Sequence, residues 1–288
     1  MIEKAIIPAA GFGTRFLPAT KCLPKEMLPV VDKPLIQYGV EEIISSEIKN
    51  ILIITSRGKG VIEDYFDINF ELESFLIQKN KEDLVNEIKK VADLINIFYL
   101  RQKEALGLGH AVLIGEEFIA GEPFAVLLPD DIIDAEKPCL KQLIEIYSET
   151  KCSVVALEKV DEEGTRKYGI IKPKQISDRL FQIEDIIEKP GPEKAFSDLA
   201  VIGRYVFNPE IFSALKKTRP DKKGEIQLTD AIDILQKAKP VYGLLVEGKR
   251  YDAGDKFGFI KATIELALKR KEFRNKLKKF LISLELDD

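Results

Sequence analysis

A short apolar run at residues 5–9 leads directly into the glycine-rich segment Pro8-Ala9-Ala10-Gly11-Phe12-Gly13-Thr14-Arg15-Phe16-Leu17-Pro18. At the carboxyl end of a strand in an open α/β sheet, such a turn presents backbone N–H groups to a ligand. The segment is not a dinucleotide fingerprint, because the third glycine would fall at position 16, and it lacks the Gly-Lys-Ser/Thr of a P-loop. The nearby cations Arg15, Lys21 and Lys25 favour a ligand with several phosphates over a purely structural turn.

Strand and helix patterns alternate along most of the chain. Short β-branched runs without polar alternation, typical of strands buried on both faces, predict strands at residues 5–9, 51–55, 97–100, 124–129, 153–157, 169–172, 183–188, 201–207 and 241–246. Apolar residues at helical spacing predict helices at 35–48, 209–217, 228–237 and 257–271. The alternation predicts an α/β fold with a mixed, mostly parallel central sheet flanked by helices. Residues 169–173 and 181–183 indicate an antiparallel hairpin, which we expect to pack across one end of that sheet.

The composition of the 288-residue chain limits the possible functions. Its length fits one large domain or two smaller ones, and 45% hydrophobic with 32% charged residues is typical of a folded globular protein. The formal net charge of −4 and the pI of about 5.5 provide no general basic field for nucleic acid or an anionic membrane. No apolar run approaches the roughly 18 residues of a membrane span. We therefore expect neither nucleic acid nor a membrane as a partner.

Cysteine and histidine usage narrows the chemistry and the compartment. Cys22, Cys139 and Cys152 are odd in number and far apart, which matches neither a disulfide framework nor a C-x-x-C pair and predicts a reducing cytoplasm. His110 is the single histidine, so a zinc site with two histidines is excluded. We expect chemistry based on carboxylates, lysines and arginines, with His110 as a structural residue rather than a ligand contact.

Two carboxylates follow an apolar strand at Val126-Leu127-Leu128-Pro129-Asp130-Asp131. Strand ends of this kind are natural places for Mg²⁺, which prefers carboxylate and phosphate oxygens, although a simple turn or helix cap is the alternative. A further candidate is Asp252 in Arg250-Tyr251-Asp252-Ala253-Gly254-Asp255. Asp255 is placed to be the N-cap of the next helix, so Asp252 is the better candidate ligand.

Two further groups of polar residues suit a phosphorylated sugar and a base. Glu188 and Lys189 end a predicted strand and would suit a sugar hydroxyl and a phosphate, but a surface ion pair is equally common. Gln102 offers the donor and acceptor that a pyrimidine edge needs, and the glycines of 107–109 are expected to open a helix.

Two segments are unusually charged. Residues 71–96 form a charged helical excursion. The segment 269–279 is basic, and a solvated or subunit-contacting helix is favoured there over anion binding; its cations are Lys269, Arg270, Lys271, Arg274, Lys276, Lys278 and Lys279.

Taken in order, these motifs resemble the sugar-1-phosphate nucleotidyltransferases over nearly the whole chain. Further matching stretches are Pro24-Lys25-Glu26-Met27-Leu28-Pro29-Val30-Val31-Asp32-Lys33-Pro34, Arg57-Gly58-Lys59, Phe66-Asp67, Glu71-Leu72-Glu73, Gly107-Leu108-Gly109-His110-Ala111, Glu188-Lys189-Pro190 and Leu228-Thr229-Asp230-Ala231-Ile232. The family usually begins with Gly-Gly where this chain has Ala9-Ala10, and residues 24–29 follow the uridylyl rather than the thymidylyl pattern.

The resemblance implies roles for residues at matching positions. In the nucleotide half, Arg15 would hold the outgoing pyrophosphate and Lys25 would steady the reacting phosphates. The positions implied to approach the nucleotide are Ala9, Ala10, Gly11 and Gly13, and those implied to recognise the base are Glu26, Gln102 and Gly107.

In the other half, the resemblance implies a sugar-phosphate site and a metal site. The sugar phosphate would lie against Gly169, Glu188, Lys189 and Val201. Asp130 and Asp252 match two Mg²⁺ ligands, and Asp131 would lie behind them.

The implied reaction is Mg²⁺-dependent, in-line transfer from UTP to glucose 1-phosphate without a covalent intermediate, giving UDP-glucose and pyrophosphate. The alternatives are dTTP-dependent thymidylyl transfer, transfer through a nucleotidyl-histidine at His110, and a sensor without catalytic activity. The implied fold is the Rossmann-like type of the nucleotide-diphospho-sugar transferases.

We expect one domain at residues 1–260, with nucleotide binding mainly in 1–160 and sugar-phosphate binding mainly in 161–260. A C-terminal helical extension would occupy 261–288. The resemblance also implies self-association as a dimer or tetramer.

Overall fold

A nine-stranded mixed sheet forms the centre of the molecule in the computed structural model, which describes residues 1–284. In chain order, the strands of the structure are β1 (Lys4–Pro8), β2 (Pro29–Val30), β3 (Lys33–Pro34), β4 (Asn50–Thr55), β5 (Asn96–Arg101), β6 (Phe124–Leu127), β7 (Asp131–Asp134), β8 (Ser153–Lys159), β9 (Gly169–Gln175), β10 (Leu180–Glu188), β11 (Leu199–Phe207), β12 (Val241–Leu245) and β13 (Lys249–Asp252).

The sheet has the order β5-β4-β1-β6-β11-β8-β12-β10-β9. β1 pairs in parallel with β4 and β6, and β12 pairs in parallel with β8. β11 and β10 run against their neighbours, which makes the sheet mixed. The predicted sheet is therefore confirmed.

Helices cover both faces of the sheet. They are α1 (Leu35–Ser45), α2 (Gly60–Phe66), α3 (Phe70–Gln78), α4 (Glu82–Ala92), α5 (Gly107–Leu113), α6 (Glu116–Ile119), α7 (Cys139–Thr150), α8 (Glu210–Lys217), α9 (Leu228–Gln236), α10 (Lys256–Lys269) and α11 (Lys271–Ser283). The amphipathic patterns at 35–48, 209–217, 228–237 and 257–271 correspond to α1, α8, α9 and α10, and the charged excursion becomes α3 and α4.

Successive residues of a strand feed opposite faces of the sheet, so the buried runs supply two cores. On β1, Ile6 joins the core under α5, α8 and α9, whereas Ile7 joins the core under α1, α2 and α7. Phe124 and Ala125 on β6 divide in the same way. This division explains why these strands are apolar throughout rather than alternating.

The hairpin of β9 and β10 does not pack across the end of the sheet as expected. It extends the same sheet, because residues 180–182 of β10 pair with β12. β9 also pairs with β11 at Ile170 and Ala200. This pairing satisfies backbone hydrogen-bonding groups that would lack partners if the hairpin packed as a separate layer.

Two elements near the site were not predicted: the strands β7 and β13. They form a separate antiparallel ribbon in which Asp252 lies opposite Asp131. A third core, beneath α10, contains Ile132 and Tyr251 from this ribbon.

At the C-terminal end, Asp255 caps α10 as predicted, with its side chain accepting from the backbone N–H of Gly258 at 2.8 Å. The expected division at residue 260 falls within α10, and the domain division remains a prediction. The last four residues of the expected extension lie outside the described range. Among the described helices, none combines the length and apolar character that crossing a membrane requires.

Candidate active site

The glycine-rich loop leaves the carboxyl end of β1 near the middle of the sheet. Gly13 has a left-handed backbone (φ 65°), and a Cβ there would lie 3.2 Å from both the Cβ of Lys25 and the Cγ2 of Thr20. A side chain at this position would be strained and crowded. The conformation lets the loop fold back toward Lys25 and places Arg15 at its outer end.

Lys25 and Asp130 form an ion pair at the edge of the sheet, with Nζ and Oδ2 2.5 Å apart. Burial acts to raise the pKa of Asp130, but the charge and hydrogen bond of Lys25 outweigh it and hold that pKa below its ordinary value. Asp130 is therefore a carboxylate at neutral pH.

Asp252 points to the same space as Asp130. A Cβ placed on Gly254 would lie 3.0 Å from Oδ1 of Asp252 and 3.1 Å from Oδ2 of Asp130. It would lie 3.5 Å from Nη1 of Arg15. The two carboxylates thus lie on the same side of Gly254 beside a cation and line the same cavity, and a side chain at residue 254 would crowd them.

A network of buried charged side chains lies next to Asp130 and Asp252. Arg250 pairs with Asp131 at 2.7 Å and with Glu158 at 2.9 Å. Arg204 pairs with Glu42 at 2.8 Å and donates to the backbone oxygen of Asp131 at 2.7 Å. Asp131 also accepts from the backbone N–H of Gly203 at 3.0 Å, so its carboxylate is engaged by the protein itself.

One cavity of about 500 Å³ lies on the β1–β6 side of Lys25. Its walls include Ala10, Gly11, Glu26, Gln102 and Gly107. The side-chain nitrogen of Gln102 contacts the backbone oxygen of Gly107 at 3.2 Å and Nδ1 of His110 at 2.9 Å. The amide oxygen of Gln102 is then the atom left to face a ligand, and His110 orients this amide.

Beneath the same cavity lies a buried ion pair. Lys59 contacts Oε2 of Glu26 at 2.8 Å and also donates to the backbone oxygen of Ala9. Burial raises the pKa of Glu26 and lowers that of Lys59, and each charge partly offsets the effect on the other. The pair ties the glycine-rich loop to the segment that carries Lys25.

A second cavity of about 500 Å³ lies on the other side of Lys25. Its walls include Gly169, Glu188, Lys189, Val201 and Thr229. Oε2 of Glu188 accepts from the hydroxyl of Thr229 at 2.6 Å, and Oε1 contacts Nζ of Lys189 at 2.8 Å. Lys189 has a left-handed backbone (φ 47°), which turns the chain at the end of β10.

The two cavities meet at the ion pair. Lys25 and Asp130 line both of them, as do Gly11 and Thr14 of the glycine-rich loop. Arg15 and Asp252 line the second cavity next to this junction. A ligand in each cavity would therefore approach the other between two cations and two carboxylates.

Comparison with known proteins gives the family. A family model described as nucleotidyl transferase matches residues 4–268. The chain belongs to this family. This nucleotidyl transferase is 52% identical over 286 residues to UTP–glucose-1-phosphate uridylyltransferase 2 of Staphylococcus saprophyticus, covering 99% of both chains. It is 51% identical to the UTP–glucose-1-phosphate uridylyltransferase of Bacillus subtilis, covering 98% of this chain and 97% of the relative.

Solved structures agree with the family and the fold. A UDP-glucose pyrophosphorylase complexed with UDP-glucose matches with a TM-score of 0.87 and 45% identity, over 94% of this chain and all of that one. A UTP-bound enzyme of the same kind from Acinetobacter baumannii matches with a TM-score of 0.92 and 39% identity, over 99% of this chain and all of that one. The Rossmann-like fold expected for this nucleotidyl transferase is confirmed.

Most of the residues singled out in the sequence meet around the two cavities. Ala9 is an exception: it is buried, its N–H donates to the backbone oxygen of Ile54, and its carbonyl accepts from Lys59. Lys21 is exposed and lines neither cavity. The contacts of Ala9 with Ile54 and Lys59 turn its backbone groups into the protein and away from both cavities.

The sequence interpretation gave no role to Lys59, Tyr168, Thr229 or Arg250. Lys59, Thr229 and Arg250 belong to stretches that match the family, and this match is the sequence feature that could have marked them as functional. Tyr168 directly precedes Gly169, and nothing in the sequence distinguishes it. Their roles depend on contacts between elements that are distant along the chain.

The donor set fits a hard divalent cation. Asp130 and Asp252 supply two carboxylates that line one cavity on the same side of Gly254, and Mg²⁺ typically takes one or two carboxylates together with substrate phosphates. No cluster of three or more acidic, histidine or cysteine ligands occurs within residues 1–284, so the remaining ligands would come from substrate and water.

Proposed function

We propose that this chain transfers the uridylyl group of UTP to glucose 1-phosphate, giving UDP-glucose and pyrophosphate. The observation that carries the proposal is the meeting of two cavities at Lys25 and Asp130, with Arg15 and Asp252 beside them. The transferase names of the relatives at 52% and 51% identity support the choice of substrates.

The first cavity would hold the nucleoside of UTP. The amide oxygen of Gln102 can accept from the N3–H of uracil, and backbone groups of Ala10 and Gly107 can bond the carbonyl oxygens of the base. Gly11 and Gly13 bring the loop close to the phosphates, and Arg15 balances the charge of the outgoing pyrophosphate.

The second cavity would hold glucose 1-phosphate. Glu188 faces the sugar hydroxyls, oriented by Thr229, and Lys189 neutralises the phosphate. Gly169 and Val201 provide wall atoms without charge, which leaves room for the ring. The phosphate of the sugar would then point toward Lys25.

The reaction needs no general base from the protein. A phosphate monoester has a second pKa of about 6, so its attacking oxygen is already ionised at neutral pH. Catalysis would rest on alignment and charge: Lys25 steadies the α-phosphate, and Arg15 stabilises the leaving pyrophosphate. The position of His110 against Gln102 suits orientation of that amide rather than nucleophilic attack.

Asp130 and Asp252 would hold Mg²⁺. When bound, this ion would supply charge neutralisation at the reacting phosphate oxygens. The protein's own contribution is to hold both carboxylates at the wall of the second cavity, through Lys25 for Asp130 and through the ribbon of β7 and β13 for Asp252.

We further propose a cytoplasmic enzyme that self-associates as a dimer or tetramer. The thiols of Cys22, Cys139 and Cys152 are free, as expected in a reducing compartment. The C-terminal helices expose the apolar side chains of Phe257 and Ile282 (77% and 74% exposed), which a second copy could cover. Sedimentation at several protein concentrations measures the oligomer.

The testing experiment measures pyrophosphate release from the purified protein with Mg²⁺ and glucose 1-phosphate. UTP, dTTP, CTP, ATP and GTP are compared, with EDTA as one control. Asp130→Ala should abolish release, whereas Asp134→Ala, at the far end of the strand β7 that follows Asp130 and outside both cavities, should not. A dTTP preference would assign a thymidylyltransferase. Nucleotide-sugar binding without release from any pair would assign a sensor.

A further inference from the structure

The carboxylate of Asp252 has different partners on its two oxygens. Oδ1 accepts from the backbone N–H of Gly254 at 2.9 Å and lies on the same side of Gly254 as Oδ2 of Asp130. Oδ2 accepts from the hydroxyl of Tyr168, which is the hydrogen-bond donor to this oxygen among the described residues. The orientation of Asp252 is thus set on one side by the backbone and on the other by a phenol.

Arg250 is a competing partner for the same oxygen. Its Nη2 lies 3.6 Å from Oδ2 of Asp252, too long for a hydrogen bond. Its guanidinium is held away by Asp131 and Glu158 and stacks on the ring of Tyr168 at 4.5 Å from the centroid. Tyr168 therefore contacts both Asp252 and the cation that could draw Asp252 out of position.

We propose that Tyr168 is a positioning residue for the divalent-cation site, whose hydroxyl fixes the Asp252 carboxylate so that Oδ1 stays beside Oδ2 of Asp130, on the same side of Gly254. This inference rests on the metal assignment made under the proposed function, because it takes Asp252 as a ligand. Without the hydroxyl, Oδ2 loses its donor, and a small rotation brings it to Arg250. The carboxylate then turns away from Asp130.

Tyr168 also joins the two parts of the site. It directly precedes Gly169 at the wall of the second cavity, whereas Asp252 ends the ribbon strand β13. The hydroxyl is thus a direct side-chain link between the segment that would bind the sugar and the ribbon that would bind the metal. Outer partners of metal ligands typically contribute 10- to 100-fold to metal affinity (roughly, across known sites).

The test uses the whole chain and the variant Tyr168→Phe, which keeps the ring that stacks on Arg250. The probe is Mn²⁺, which suits the same oxygen ligands as Mg²⁺ and is detected by electron paramagnetic resonance without turnover. Binding is titrated in the presence of saturating UDP-glucose. Tyr147→Phe is the matched control, because it removes a hydroxyl that donates to Asn208 at 2.8 Å outside both cavities.

We expect Tyr168→Phe to weaken Mn²⁺ binding by about 10- to 100-fold and Tyr147→Phe to leave it unchanged. In EDTA, UDP-glucose should bind wild type and Tyr168→Phe equally. In the forward reaction the Mg²⁺ concentration for half-maximal rate should rise, while kcat at saturating Mg²⁺ stays within a few fold. This separation distinguishes lost metal positioning from a general loss of structure.

Two results would overturn the inference alone: wild-type Mn²⁺ affinity in Tyr168→Phe, or an equal loss of UDP-glucose affinity in EDTA. If wild type binds Mn²⁺ but releases no pyrophosphate from any substrate pair, the proposed function fails while the role of Tyr168 stands. If wild type binds no Mn²⁺ even with UDP-glucose, both the metal assignment and this inference fail.

Discussion

The two cavities are built in different ways. The first is walled mainly by two segments that follow parallel strands, the glycine-rich loop after β1 with Gly11 and the segment after β5 with Gln102 and Gly107. The second is walled by side chains from β10, β11, α9 and the ribbon, among them Glu188, Thr229 and Asp252. The first depends on local conformation and the second on long-range contacts between charged groups, so substitutions should affect them differently.

The largest expected effect concerns the buried charges behind the second cavity. Arg204→Met leaves Glu42, whose side chain is 8% exposed, without its cation. We expect the free energy of unfolding to fall by about 3–5 kcal/mol. Chemical denaturation measures the change.

Lys137→Met is the control for Arg204→Met. The pair of Lys137 with Glu145 is half exposed, and its loss should cost less than about 1 kcal/mol. Equal losses of unfolding free energy in the two variants would mean that the burial of the Arg204–Glu42 pair does not increase its contribution to stability.

The next largest effect concerns the junction of the cavities. Lys25→Ala removes the cation between them and should lower kcat by on the order of 100-fold or more, with a smaller change in KM for UTP, because the charge acts mainly in the transition state. Steady-state kinetics measure both values.

Lys21→Ala serves as the control, since this neighbouring lysine is exposed and lines neither cavity. Its kcat should equal that of wild type. A Lys25→Ala enzyme with near-normal kcat would refute the role of Lys25.

A smaller and more selective effect is expected at the sugar. Glu188→Gln keeps the size of the side chain but removes its charge, and it disturbs the contacts with Thr229 and Lys189. The KM for glucose 1-phosphate should rise by about 10-fold, and the KM for UTP should hardly change. Glu184→Gln, on the same strand in an exposed pair with Lys172, should change neither value. Equal changes in the KM values for glucose 1-phosphate and UTP would contradict the assignment of one substrate to each cavity.

The smallest effect concerns the loop that touches both cavities. Asp221 accepts from the backbone N–H of Glu225 at 3.0 Å and from Gln227 at 2.9 Å, and Glu225 lines both cavities. The hydrogen bond from Glu225 and that from Gln227 hold the pKa of Asp221 below its ordinary value. The stabilisation that these hydrogen bonds give the loop is present above the ordinary pKa of Asp221. It is lost as the pH falls through the lowered pKa of the folded protein.

Hydrogen exchange should therefore show faster opening at the Glu225 amide in acid. Asp221→Asn should remove that pH dependence and raise the KM for UTP by a few fold at most. An unchanged protection factor, which is the intrinsic exchange rate at each pH divided by the observed rate, across the acid range in wild type would contradict this.

The difference between the cavities also explains what the sequence could predict. The central strands appear as buried β-branched runs, and the glycine-rich loop is contiguous, so its position after β1 follows from the pattern. The strands of the ribbon carry Asp131, Asp134, Lys249 and Arg250, which look like surface residues. Asp131 and Arg250 are buried because they pair with each other, and that pairing depends on tertiary structure.

The same reasoning applies to single residues. Ala9 was placed at the nucleotide because it belongs to the loop motif, but the sequence does not show that its carbonyl faces Lys59. Tyr168 has no local pattern at all, since its partner Asp252 is 84 residues away. Residues of contiguous motifs could be placed near a ligand by pattern and by the family resemblance, whereas residues that orient others through distant contacts could not.

The register of the ribbon has a consequence for engineering and for divergence between relatives. Side chains alternate between the two faces of a strand, so shifting one strand by a single residue moves every side chain to the other face. In β13, deleting one residue before Asp252 would place Asp252 opposite Ile132, turn its carboxylate to the other face and leave Ala253 opposite Asp131. This ribbon should therefore accept replaced side chains far more readily than changed length, and insertions should be confined to the turns outside it.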